Sequence, residues 1–191
     1  MTTINSRYQL KNVRLAFPNL FEATRVGTDP SAKPRFSASF IMAPDHPQIA
    51  ELKELVAQLA KEKWGKDAEA MLKSIRAKDR ICLHDGDLKA KYEGFAGNLY
   101  VSAAAPENKP PTVVDTARVR LDARSPIPYA GCLVNAIVEI YAQDNSFGKG
   151  INATLAGVQF VADGQAFGGG RAASEDEFEE IATDGASGDW A

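Results

Sequence analysis

Alternation of apolar and polar residues with a period of two recurs along this chain and limits what it can fold into. From Tyr8 to Phe17, Val13, Leu15 and Phe17 fall on one face and Asn12, Arg14 and Ala16 on the other. That is the pattern of a half-buried strand. Arg35 to Met42 repeats it, with Phe36, Ala38, Phe40 and Met42 opposite Arg35, Ser37 and Ser39. Asn98–Ala103 and Ala117–Ala123 alternate too, the second with Val119 and Leu121 inward and Arg118 and Arg120 outward. Cys132–Ala142 is apolar on both faces and reads as a central strand. Ile151–Ala162 is a last long strand, broken at Gly157 where a bulge or barrel corner is expected. Arg80–Leu83 adds a short one. Six or seven long, bent strands favour a small barrel over a flat open sheet.

One segment departs from this period. Ile49, Leu52, Leu55, Val56 and Leu59 recur at helical spacing within Asp45–Trp64. Asp45 is placed to cap this helix, Pro47 stands in its first turn and Gly65 ends it. A shorter helix follows over Asp67–Ala77, with Ala68, Met71, Leu72 and Ile75 inward. The fold class is therefore mainly β with one helical insertion, at about residues 45–77. A chain of 191 residues is one domain of usual size. Cys82, Cys132, His46 and His84 are dispersed, which suggests neither a disulfide framework nor a structural zinc site. No apolar run approaches the ~20 residues of a membrane span, and Met1–Gln9 lacks the apolar core of a signal peptide. A soluble cytoplasmic protein is expected.

Charge divides the chain. Glu175, Asp176, Glu177, Glu179, Glu180, Asp184 and Asp189 occupy the last twenty residues, which contain no Lys or Arg. Of the 25 acidic side chains, removing those seven leaves 18 against 22 basic ones, so residues 1–171 carry about +4. Residues 1–167 are read as the folded domain, and 168–191 as a glycine hinge and a disordered acidic tail. Tethered by a short hinge, such a tail has an effective concentration on the order of millimolar at any basic groove of the body. It would compete there with a polyanion. Trp190, a large aromatic near a polar end, suits a pocket on a partner protein.

Motifs for catalysis are missing. There is no nucleophile elbow and no phosphate-cradling loop with Lys and Ser/Thr. Gly94-Phe95-Ala96-Gly97 has Gly-x-x-Gly spacing without the flanking helices a KH-type loop requires. Asp85-Gly86-Asp87 reads as a turn before it reads as a cation site, and Asp115 and Asp122 have no third ligand. A non-enzyme without metal or cofactor is expected. Basic and aromatic side chains accumulate instead. Candidates for contacting a nucleic acid are Arg14, Arg35, Lys89, Lys91, Tyr92, Phe95, Tyr100, Arg118, Arg120, Arg124, Tyr129 and Lys149. Within them, Lys89-Lys91-Tyr92-Phe95-Tyr100 is the strongest cluster. A single strand needs a positive groove for its backbone and flat rings for its bases, and stacking requires no base identity. Phe17, Phe36, Phe40 and Phe160 lie on apolar faces and are read as core. The competing reading is a protein-interaction or assembly module that binds no nucleic acid.

Several segments, in order, carry a resemblance. They are Val13-Arg14-Leu15-Ala16-Phe17-Pro18-Asn19-Leu20-Phe21-Glu22, Tyr92-Glu93-Gly94, Tyr129-Ala130-Gly131-Cys132, and the stretch from Gly148-Lys149-Gly150 through Leu155-Ala156-Gly157-Val158-Gln159 to Phe167-Gly168-Gly169. In them the chain resembles a family of bacteriophage single-stranded-DNA-binding proteins. In architecture it is similar to the replication single-strand-binding protein of short-tailed coliphages. The resemblance implies an OB-fold barrel that binds single strands without strong sequence preference. It also implies an acidic tail that contacts replication proteins (a polymerase, helicase or nuclease) and competes with DNA. In the coliphage relatives the tail ends on Phe, whereas here Trp190 is followed by Ala191. An exposed barrel edge and a tail that can be exchanged make a homodimer a further expectation.

Overall fold

Strands that alternate in polarity hide their apolar faces completely when the sheet closes on itself, and this chain does so. A computed structural model describes residues 6–25, 27–168 and Phe178. Its elements are β1 (Arg7–Thr24), β2 (Arg35–Met42), α1 (Gln48–Trp64), α2 (Ala68–Ala77), β3 (Leu83–Asp85), β4 (Leu99–Pro106), β5 (Thr112–Val114), β6 (Leu133–Asn145) and β7 (Gly148–Ala162). β1 pairs antiparallel with β2 on one side and β6 on the other. β2 continues to β4, and β6 to β7. A parallel contact between β4 and β7, at Ala104 and Thr154, closes the five-stranded ring β1-β2-β4-β7-β6. This is the OB-fold barrel, with β3 added to β4 and β5 added to β7.

In β1, β2 and β4 the inward positions include those the alternation marks, and β6 and β7 each turn one face inward. Leu15, Phe40, Val101, Val134, Val138, Ile140, Ile151 and Leu155 are buried in one core, which Leu52 and Val56 of α1 join. Each such side chain contributes about 1.5–3 kcal/mol when fully buried. A slip of one residue would expose a whole row, so the register is strongly fixed. The bulge expected near Gly157 is present: Ile137 faces Gly157 and Val138 faces Leu155, which leaves Ala156 as the extra residue.

Three local expectations are corrected. β1 is bulged between Ala16 and Asn19, where Phe17 has φ +48. The bulge breaks the alternation after Ala16, so Phe17 is 43% exposed rather than part of the core. Ala117–Ala123 is not a strand. Asp115 Oδ1 accepts from the amides of Ala117 and Val119, Arg118 turns to φ +65, and Val119 is exposed. The edge strand lies earlier, at Thr112–Val114. Asp45 does not cap α1, whose flanking residue is Pro47 with no side-chain cap. Gln48 fastens the helix start to β1 instead, accepting from Lys11 N at 2.7 Å and donating to Gln9 O at 2.8 Å.

Candidate nucleic-acid interface

Outside the barrel, the outer face of β1, β2 and β4 carries a second, smaller core. Ala16, Ile41 and Tyr100 point outward there, and Phe95 and Phe167 cover them. Phe95 arrives on the loop 86–98, which is cross-braced. Asp85 Oδ1 accepts from Asp87 N at 2.9 Å, Asp87 Oδ1 from Gly97 N at 2.8 Å, and Asn98 Nδ2 donates to Gly94 O at 2.8 Å. Both carboxylates of the Asp-Gly-Asp turn thus serve the loop. Gly94, at φ +86, is where the loop meets the segment that follows β7. A Cβ there would lie 2.6 Å from the Phe167 ring.

On this base stands a stack of rings. Phe95 meets Tyr100 edge-on at 5.0 Å and Phe17 nearly parallel at 5.6 Å, and Tyr92 meets Phe17 edge-on at 5.0 Å. Phe95 is 1% and Tyr100 2% exposed, so neither presents a face for stacking. Their role is corrected to support. Phe17 and Tyr92, 43% and 41% exposed, are the rings that face solvent. Lys89 Nζ lies 5.0 Å from the Tyr100 centroid, 5.3 Å from Phe17 and 5.7 Å from Phe95, and Lys91 Nζ lies 5.0 Å from Tyr92. Such cation–π contacts are worth ~0.5–1 kcal/mol at exposed sites. They orient the ammonium groups and use none of their donors.

The rings form one wall of an open groove of about 840 Å³. Its floor is polar and small, with Ser37 and Ser39 from β2 and Ser102 from β4. The far wall is the β6–β7 hairpin with Tyr141, Phe147 and Lys149, and Phe147 at its tip is 82% exposed. Two tethers place this hairpin. Arg80 Nη1 donates to Phe147 O at 3.1 Å, and Trp64 Nε1 at the end of α1 donates to Asp144 Oδ2 at 2.9 Å. Arg35 lines the groove from the start of β2. On the floor, His84 stacks on Tyr100 at 4.6 Å, and its Nε2 lies 2.7 Å from Ser102 Oγ. Burial, with the Asp79 charge adding, pushes the Tyr100 hydroxyl up to about 12, so it stays neutral.

Of the sequence candidates, Arg35, Lys89, Tyr92 and Lys149 line this groove, and Lys91 packs on Tyr92. Arg14 and Tyr129 lie at another corner. Arg14 donates to Gly131 O at 3.2 Å and Gln165 O at 2.6 Å, with its guanidinium 4.0 Å over the Phe167 ring. Tyr129 Oη donates to Asp163 Oδ1 at 2.6 Å. Both hold the segment where the chain leaves the barrel. Arg118, Arg120 and Arg124 belong to the β5–β6 connection and do not line the groove. The tail candidates Glu175, Asp176, Glu177, Glu179, Glu180, Asp184, Asp189 and Trp190 lie outside the described residues. Sequence reasoning missed Phe17, Arg80 and Tyr141. Pro18 signalled the first, because proline inside a strand marks a bulge. Tyr141 follows from parity, since Val138 and Ile140 point inward.

Comparison with known proteins agrees with this geometry. The family described as Enterobacter phage Enc34, ssDNA-binding protein, matches residues 7–188. The chain belongs to this family. A putative protein p50 of Acyrthosiphon pisum secondary endosymbiont phage 1 is 45% identical over 178 residues, covering 92% of this chain and 94% of that one. Among solved structures, the single-stranded DNA-binding protein of bacteriophage Enc34 in complex with ssDNA is similar, with a TM-score of 0.68 and 24% identity over 88% of this chain and 97% of that one. So is gp2.5, a single-stranded DNA binding protein encoded by bacteriophage T7, at a TM-score of 0.55 and 15% identity, covering 94% and 96%. At these identities the structural likeness speaks for the barrel of the family.

Proposed function

We propose that this chain binds single-stranded DNA without base preference and serves phage replication or recombination. The observation that carries the reading is the exposed Phe17–Tyr92 ring pair beside Lys89, at the edge of a groove that Arg35 and Lys149 also line. The groove occupies the face and hairpin that OB-folds use for oligonucleotides. Bases stack on Phe17 and Tyr92, and phosphates meet the donors of Lys89, Arg35 and Lys149, the last of which lies 3.9 Å from Asp144 Oδ2 and exchanges that carboxylate for a phosphate. Stacking contributes about 1–3 kcal/mol per base and accepts any base. Family membership supports the same reading.

The tail is the second part of the proposal. Residues 168–191 form a unit apart from the binding domain of residues 1–167. Their seven carboxylates compete with DNA for the groove. Once displaced, they and Trp190 recruit a replication protein such as a polymerase, helicase or nuclease. The test is the anisotropy of a labelled oligothymidylate titrated with the full chain and with a chain ending at Arg171. Both run across a salt series with duplex in parallel. Binding should weaken with salt by roughly 0.7 log units per log unit for each phosphate neutralised, and the shorter chain should bind more tightly. Equal affinities would remove the tail's competition. Absence of salt-dependent binding by either chain would remove the DNA reading in favour of a protein-interaction module.

A further inference from the structure

The groove ends at Tyr141 and Gln143, but the surface it opens onto continues. Outward residues of β6 and β7 pair row by row: Tyr141 with Asn152, Glu139 with Thr154, Ile137 with Gly157, and Asn135 with Gln159. From Tyr141 to Asn135 this strip runs about 20 Å, at ~3.3 Å per residue. A second pocket of about 360 Å³ lies at its far end, lined by Gln9, Asn135, Ile137 and Gln159, with Arg118 at its rim. The β7 bulge shapes it, since Gly157 brings no side chain into the pocket.

The strip itself is close to neutral, and the charge that favours a polyanion stands at its far end. Glu139 is the one carboxylate in its rows, and Arg7 Nη1 pairs with it at 2.6 Å. At the pocket, the Arg118 side chain has no hydrogen-bond or carboxylate partner among the described residues. Its backbone is held at φ +65 by the Asp115 turn, an uncommon conformation for so large a residue. Arg120 reaches Thr112 Oγ1 at 3.5 Å and leaves most of its donors open. Half-buried Ile137 offers an apolar surface between these donors and Gln9.

We propose that this pocket is a second subsite for the same single strand. The strand leaves the groove past Tyr141, follows the β6–β7 strip and sets phosphates on Arg118 and Arg120. The proposal rests on the groove's binding of single strands, and the test separates the two. Oligothymidylates of about 6 and about 16 nucleotides, within the range one OB-fold occupies, are titrated with the full chain and with its Arg118→Glu/Arg120→Glu variant. The variant should bind the long oligonucleotide about 10-fold more weakly. Its salt slope should be smaller by roughly 0.7 for each phosphate no longer neutralised, and the short oligonucleotide should be unaffected. Unchanged affinity for the long one, or equal loss for both lengths, overturns the subsite and leaves the groove reading intact. Failure of the unmodified chain to bind either length overturns both. A fluorophore on a Gln9→Cys variant gives an independent readout, since Cys82 and Cys132 are buried. It should respond to the long oligonucleotide alone, and silence with both lengths contradicts the path.

Discussion

Two corners of the barrel's outer face use the same residue types and end with opposite properties. At the groove edge, Lys89 lies against three rings and donates no hydrogen bond to the protein among the described residues, and Phe17 and Tyr92 remain exposed. At the chain's exit, Arg14 donates to Gly131 O and Gln165 O, covers Phe167, and Tyr129 is spent on Asp163. The difference is what holds the cation. A cation held by ring faces keeps all its donors for a phosphate. Arg14 commits two of its five donors to carbonyls and acts as a clamp. The corners touch through Gly94 and Phe167, so the point where the acidic tail departs lies beside the groove it is proposed to cover.

The comparison breaks most visibly at the rings. Phe17→Ala with Tyr92→Ala should remove about 2–6 kcal/mol of single-strand affinity, a ~30-fold or larger loss, read by oligothymidylate titration at constant salt. Arg14→Gln should act on the other side of the comparison. It leaves two carbonyls short of a charged donor and should lower unfolding free energy by about 1.5–3 kcal/mol in urea, with affinity of the folded protein within about 2-fold of the parent. Lys89→Gln should do the reverse, weakening binding roughly 5-fold and lowering the salt slope by about 0.7 at unchanged melting temperature. A loss of stability there would mean that the ring contacts, rather than DNA, are what the lysine serves.

The smallest effect concerns pH. Burial pushes the Cys82 thiol up to about 12 and Cys132 up to about 11, from an ordinary 9.0. The Tyr100 hydroxyl rises to about 12 from 10.0. These groups hold their protons more tightly in the folded chain than in the unfolded one. Their contribution is complete below pH 9 and declines as pH rises towards 12. Denaturant midpoints should therefore be flat in this respect up to pH 9 and fall above it. A thiol reagent at pH 8 should leave both cysteines of the native protein unmodified.

The barrel was legible because alternation and burial are the same fact read twice. Leu15, Phe40 and Val101 went where the period placed them, and the helical insertion lies within its expected bounds. The candidate groove was legible where residues are close in sequence, as in Lys89-Lys91-Tyr92. It was hidden where a bulge broke the alternation, as at Phe17, or where a loop folded back over a strand and buried Phe95 on Tyr100. Those contacts join residues far apart in sequence, and no period encodes them. Val119 misled for the opposite reason. Its alternation was real, but the Asp115 turn intercepted the backbone amides that a strand would have needed.

Hydrogen–deuterium exchange of the full chain, with and without a saturating oligothymidylate, would test most directly which corner meets DNA. The account predicts protection at residues 15–21, 35–39, 86–95, 100–104 and 143–153, with the exit corner at 129–131 and 163–167 unchanged. Protection confined to the exit corner, with the ring edge unaffected, would contradict it.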